Sequence, residues 1–216
     1  VFDELTSVTD RLFVDSAAFA DPVADLGRLA RAAAVLEARV SGCAWGRLLP
    51  WRELLAAPFS GPPLRDAVDR ARWLRIDAVE PTAGLELVGW LASRLGWELD
   101  GVRVGGDERT ASYRTATGGC QARVVGAIGS ANLTRVHLEL DTADGPASVR
   151  VEAPPGHLVA TVEAPGQPTG RRKVGRSLGG GIGPAGLGDE LQVFGRDRVF
   201  EEALVHAAAL AEGDHG

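Results

Sequence analysis

The chain has 216 residues, 45% of them hydrophobic and 24% charged, with a formal net charge of −6. That size and balance describe a globular protein with a real core, built as one large domain or two small ones, and the negative charge argues against a general affinity for nucleic acid or anionic membranes. No apolar run approaches the roughly 20 residues that cross a bilayer, and the opening Val1-Phe2-Asp3-Glu4 lacks the basic start and apolar centre of a signal peptide, so a cytoplasmic protein is expected.

Arg11-Leu-Phe-Val-Asp15 is a short apolar run that predicts a buried strand. Asp21-Pro22 then supplies a helix start, with Asp21 as N-cap and Pro22 at the first helical position. Leu26, Leu29, Ala33, Leu36 and Val40 recur at helical spacing, which predicts one long amphipathic helix from Val23 to Val40, closed by Ser41-Gly42. Pro50 opens a further helix that carries Trp51, Leu54 and Leu55 and ends near Pro58, before Gly61-Pro62-Pro63 breaks the chain. Trp73, Leu74, Ile76 and Val79 mark a strand. Pro81-Thr82 starts a helix over Ala83 to Leu95, which Gly96 ends. Strand, helix, helix, strand, helix is the order of an α/β layer.

After Trp97 the texture changes to short segments rich in β-branched residues: Leu99 to Val104, Arg109 to Thr115, Gln121 to Ile128, Thr134 to Leu140, Ala147 to Glu152 and Leu158 to Val162. Turn signals separate them, such as Gly105-Gly106-Asp107 and Asp144-Gly145. Arg135, His137 and Glu139 alternate with Val136, Leu138 and Leu140, as a sheet with one wet and one dry face requires. These segments predict an antiparallel meander. Gly179 to Gly188 reads as a mobile glycine-dense loop, and Arg198 to Ala211 as a final helix docked through Phe200, Leu204 and Leu210. The expected fold is mixed α+β: an α/β layer over residues 1–98, then an antiparallel β-meander with a C-terminal helix over 99–216. Methionine is absent even at position 1, so a preceding segment is expected in the full gene product.

Catalytic constellations are not found. Cys43 and Cys120 are too few for a disulfide framework, and His137, His157, His206 and His215 show no metal-ligand spacing. The glycine-rich segment lacks the Gly-Lys-Ser/Thr ending of a phosphate loop, and Ser130 and Ser177 lack the nucleophile elbow. Asp107-Glu108 and Glu201-Glu202 are sequence neighbours that do not converge on one substrate. No catalytic residue, cofactor or metal is assigned, and the protein is read as a non-enzyme. Arg171, Arg172, Lys173 and Arg176 form a cationic cluster suited to a phosphorylated metabolite, to an acidic partner, or to guarding an open strand edge. Trp45, Arg47, Trp51 and Arg52 combine the residue types enriched at interface hot spots, while the same tryptophans could fill the core with the arginines capping helix ends.

The run Trp45-Gly-Arg-Leu-Leu-Pro-Trp-Arg-Glu-Leu-Leu-Ala56 and the later Gly89-Trp-Leu-Ala-Ser-Arg-Leu-Gly-Trp97 resemble the tryptophan motifs of the OpcA family, the glucose-6-phosphate dehydrogenase assembly proteins. Arg11 to Ser16 with Phe19 to Pro22 is similar to that family's lead-in, and Gly170 to Val174, Leu187 to Leu191 and Phe200 to Leu204 to its closing region. The resemblance implies a non-catalytic protein that binds glucose-6-phosphate dehydrogenase and promotes its assembly or activation at the entry to the oxidative pentose phosphate pathway. Trp45, Arg47, Trp51 and Arg52, with Arg171, Arg172, Lys173 and Arg176, are the expected partner-binding residues. The alternative is a sugar-phosphate-binding domain or small enzyme that uses the arginines as a phosphate clamp, which would show a deep pocket holding two or more arginines and a perturbed acid or histidine.

Overall fold

A computed structural model describes residues 11–35, 39–62, 64–175 and 197–213. The elements in chain order are β1 (Arg11–Val14), a 3-10 turn at Ser16–Ala18, α1 (Pro22–Val35), β2 (Arg39–Gly42), α2 (Cys43–Arg47), α3 (Leu49–Ala56), 3-10 turns at Ala57–Ser60 and Arg65–Arg70, β3 (Ala71–Ala78) and α4 (Pro81–Leu95). There follow β4 (Glu98–Gly105), β5 (Glu108–Thr115), β6 (Gly118–Gly126), β7 (Leu133–Thr142), β8 (Gly145–Glu152), β9 (His157–Glu163), β10 (Gly170–Gly175) and α5 (Arg198–Ala211). The mixed α+β class read from the sequence is the one observed.

Local chemistry sets most boundaries. Asp21 Oδ1 accepts the Ala24 amide at 3.1 Å, closing the first turn of α1. The helix is described as far as Val35, and the predicted end at Val40 is corrected: Val40 belongs to β2, which runs parallel to β1 with Leu12 opposite Val40, while the predicted Leu36 lies outside the described residues. Helical spacing cannot see a strand partner some 28 residues away (40 − 12), and this tertiary pairing overrides it. Pro81 sits in the first turn of α4, and Gly96, at φ 63°, takes the left-handed C-cap whose amide reaches Ala92 O.

The main sheet has eight strands in the order β10-β9-β8-β7-β3-β6-β5-β4. Strands β4 to β6 and β7 to β10 are antiparallel ribbons, as the meander reading requires. They are separated by β3, which pairs parallel with β6 and antiparallel with β7. The sheet therefore takes its central strand from the first region of the chain. On one face Leu74, Ile76, Ala122, Val136, Leu138, Val149, Val151 and Leu158 are buried, with α4 over β3 and β6 and α3 over β8 and β9. Helix α5 packs on α4, and Gly89 makes this possible: a Cβ there would collide with the Ala203 carbonyl oxygen. The opposite face alternates polar and open to solvent, carrying Arg75, Arg135, Glu139 and Glu152 on its central strands.

Candidate functional site

Trp45 and Trp51 are both 2% exposed. They are core residues, joined to one apolar cluster with Leu48, Leu54, Leu55 and Phe200. The Trp45 ring lies 5.5 Å from the Phe200 ring, its Nε1 donates to Asp197 Oδ2 at 3.0 Å, and the Arg52 guanidinium stacks over it at 3.7 Å. Asp197 uses its other oxygen, Oδ1, to accept the Phe200 amide at 2.9 Å and so caps α5. One tryptophan thus ties α2 to the head of the last helix and fixes where Arg52 can point.

Arg47 turns the other way. Its guanidinium meets Asp15 through Nη2–Oδ1 at 2.9 Å and Nη1–Oδ2 at 3.4 Å, with Glu80 Oε2 at 3.8 Å from Nη2. Burial works to lower its pKa, but the Asp15 bonds and the charges of Asp15 and Glu80 outweigh it and leave Arg47 raised. Beneath this pair, in the second turn of α4, lies Glu86, 1% exposed. Its Oε1 accepts the Ser16 hydroxyl at 2.7 Å, while its Oε2 is buried with no hydrogen-bond partner among the described residues. Burial first, against the Ser16 bond and the Arg47 charge, pushes the Glu86 carboxyl up to about 7. The Thr82 hydroxyl donates to Ser16 O at 3.3 Å and completes the polar cluster.

Arg171, Arg172 and Lys173 lie exposed on β10, the edge strand. Register separates them: Arg172 is opposite Ala160 on the helix-covered side, whereas Arg171 and Lys173 are opposite Thr161 and Val159 and point to the open face. Arg176 lies outside the described residues, as does the Gly179 to Gly188 segment. The structure brings Trp45 together with Arg52, sends Arg47 to a separate cluster, and places the β10 cations on the edge strand next to β9, which α3 packs against.

Sequence reasoning missed two constellations on or beside the sheet. Asp77, 6% exposed, accepts from Arg75 Nε at 2.7 Å and Arg135 Nε at 2.8 Å. His137 meets the Trp73 ring edge-on at 5.7 Å, and burial first, then the Arg150 charge, lowers its pKa. The β3–β7 pairing that creates both is not visible from local pattern. Neither cysteine is in a disulfide: Cys43 is half-buried, and burial pushes the buried Cys120 thiol up to about 12. A cleft of about 400 Å³ is lined by Thr134, Glu152, Val159 and Arg171, and one of about 260 Å³ by Arg70, Arg72, Thr115, Thr117 and Asp141. Among the described residues no group of three or more His, Cys, Asp and Glu side chains could hold a metal ion, and no helix is long and apolar enough to cross a membrane.

A family model for the OpcA type of C-terminal domain, described as that of a glucose-6-phosphate dehydrogenase subunit, matches residues 38–204. The chain belongs to the OpcA family. A protein of Synechococcus elongatus bearing the name OxPP cycle protein OpcA is 29% identical over 238 aligned positions, covering 100% of this chain and 51% of that protein. A namesake from Synechocystis is 38% identical over 99 positions, covering 45% of this chain and 21% of that protein. The chain thus spans about half the length of the OpcA relative it matches from end to end. In fold, the chain is similar to a super-repressor mutant of Gal80p from Saccharomyces cerevisiae, with a TM-score of 0.51 and 12% identity, covering 93% of this chain and 68% of that one. At that identity the likeness concerns the fold alone.

Proposed function

We propose that this chain binds glucose-6-phosphate dehydrogenase in the cytoplasm and favours that enzyme's active, assembled state, as a non-catalytic subunit at the entry to the oxidative pentose phosphate pathway. The observation that carries the reading is the OpcA family match across residues 38–204. A regulatory protein of this kind acts only through a difference in affinity between two states of its partner. The contact surface consists of Arg52 and the half-exposed Leu49 on α3 with Arg172 on the helix-covered side of β10; Arg171 and Lys173, on the open face, extend it around the edge of the sheet, and Arg176 follows them in sequence. Trp45 and Trp51 serve it from beneath, by holding α2 and α3 in place, and Arg47 by anchoring the end of α2 to Asp15. A sugar-phosphate clamp has less support: the 400 Å³ cleft offers Arg171 beside Glu152, and in the smaller cleft Arg72 is already bonded to Asp141 at 3.3 Å.

The test is dehydrogenase activity with and without the full-length protein, alongside co-elution on size exclusion. The expected result is co-elution with a changed maximal rate or KM. Arg52→Ala combined with Arg172→Ala should weaken binding about tenfold or more, in line with loss of two interface arginines. Unchanged binding in that variant overturns the surface, and absence of both co-elution and a rate effect overturns the function.

A further inference from the structure

The segment from Leu12 to Phe19 holds to the body in an uneven way. Of its residues only Ser16 is fully buried; Leu12, Phe13, Val14, Asp15 and Phe19 are half-buried, and Ala17 and Ala18 are exposed. β1 is a four-residue strand paired to the equally short β2 in a two-stranded parallel sheet, a pairing that contributes little alone. Val14 and Phe19 lean on the core and Asp15 is held at the rim by Arg47, but the one buried anchor is Ser16: its hydroxyl donates to Glu86 Oε1, and its carbonyl accepts from Thr82. Behind that peg, Glu86 is enclosed with one oxygen unpartnered among the described residues. A carboxyl so placed is accommodated when it carries a proton and is costly when charged.

We propose that Glu86 is a proton-operated latch for the β1 segment: protonated, it holds Ser16 and the strand closed on α4, and on losing its proton it releases residues 11–19 to let water reach the carboxylate.

The charged surroundings set the direction. Asp15 at the end of β1, Glu80 at the head of α4 and Arg47 of α2 all act on Glu86, and Cys43 of α2 adds to the field at Arg47. With Glu86 charged, three carboxylates share one guanidinium, and that guanidinium is already bonded to Asp15. Helices α1 and α5 also pack on α4. Of their charged groups Asp25 pairs with Arg28, Arg31 with Glu212 and Glu202 with Arg94, and neither these nor Arg198, Glu201 and His206 of α5 are among the groups acting on Glu86. Opening moves Asp15 and Ser16 away together: it gives up the Arg47–Asp15 bonds, leaves Arg47 to face the charged Glu86 without that competitor, and hydrates the carboxylate in one step. The latch concerns this chain alone and stands or falls separately from dehydrogenase binding.

The experiment is hydrogen exchange of the amides in residues 11–19, expressed as protection factors so that the intrinsic pH dependence of exchange cancels, on the intact chain and on Glu86→Gln at pH 6 and pH 8. With a carboxyl at about 7 closed and near 4.3 open, opening in the natural chain should rise about tenfold over that interval. Glu86→Gln should show no such rise and should stay protected at pH 8. Ser16→Ala, which removes the peg and leaves the carboxyl, should expose the same amides at both pH values while α4 and α5 stay protected. Equal pH responses in the natural chain and Glu86→Gln would overturn the latch, as would a segment whose protection is indifferent to pH, or a Ser16→Ala variant that remains closed.

Discussion

Replacing Gly89 by alanine isolates the close approach of α4 and α5. The new methyl would lie far inside contact distance of the Ala203 carbonyl oxygen and 2.9 Å from the Ala207 nitrogen. Both obstacles are backbone atoms of a helix, so no side chain can rotate away. Restoring a separation of about 3.5 Å requires α5 to shift by roughly 1 Å. That loosens Ala203, Leu204, Ala207 and Leu210, each at most 2% exposed. Overpacking of this kind costs roughly 1–3 kcal/mol and more where backbone must move, against a gain of about 1 kcal/mol from replacing glycine by alanine inside a helix. The net expectation is a loss of about 2 kcal/mol. Urea unfolding monitored by tryptophan fluorescence measures it: with a slope near 2 kcal/mol/M, the midpoint should fall by about 1 M at unchanged slope. A midpoint equal to or above that of the natural chain would mean that helix propensity is unopposed, and would refute the claim that α5 is seated on the Gly89 backbone.

Trp45→Ala should cost about 3–5 kcal/mol, since it removes the Phe200 contact, the Asp197 bond and the platform under Arg52; a loss under about 1 kcal/mol in chemical denaturation would show the ring to be peripheral. The buried Glu86, raised from an ordinary value near 4.5 to about 7, binds its proton more tightly folded than unfolded. Its stabilising share is therefore complete below about pH 4.5 and falls by about 3 kcal/mol as pH rises to about 7. The difference in unfolding free energy between the natural chain and Glu86→Gln, measured from pH 4 to 8, should follow that course, and a flat difference would contradict it. Asp77→Asn should cost about 1–3 kcal/mol, because the amide keeps one acceptor oxygen and turns an NH2 donor on the second arginine, while both lose the carboxylate charge; an unchanged melting curve would show both arginines to be solvated instead. Cys120, buried and with its thiol pushed up to about 12, should resist alkylation at pH 8 until the chain is unfolded by denaturant, and rapid native labelling at that position would refute its enclosure.

What the sequence disclosed depended on how far the deciding partner lies along the chain. α4 was legible at both ends because proline and glycine act on their own turns, and α5 was legible from Arg198 to Ala211 because its apolar stripe is continuous. α2, five residues at Cys43–Arg47, escaped notice because so short a helix carries no period of its own. β2 was absorbed into the preceding helix, since only β1 defines it as a strand. The place of β3 between β6 and β7 was equally out of reach. The tryptophan motif was visible as a motif, yet nothing within it chose between core and surface: Phe200 and Asp197, some 150 residues on, make Trp45 a core residue. Arg47 and Glu86 belong to one cluster only because Asp15 and Ser16 return to them from 32 and 70 residues upstream.

The position of β3 also governs how the protein is made. A ribosome completes β3 and α4 before either strand that flanks β3 exists, and the second flank is finished only at Thr142. Through that interval Leu74 and Ile76, each 0% exposed in the finished fold, lack the sheet that covers them. Closure of the sheet is thus a late, non-local event, of the kind that folds slowly and favours association between unfinished copies. Nascent chains stalled between β6 and β7 would be the form of this protein most in need of a chaperone, whatever the stability of the completed molecule.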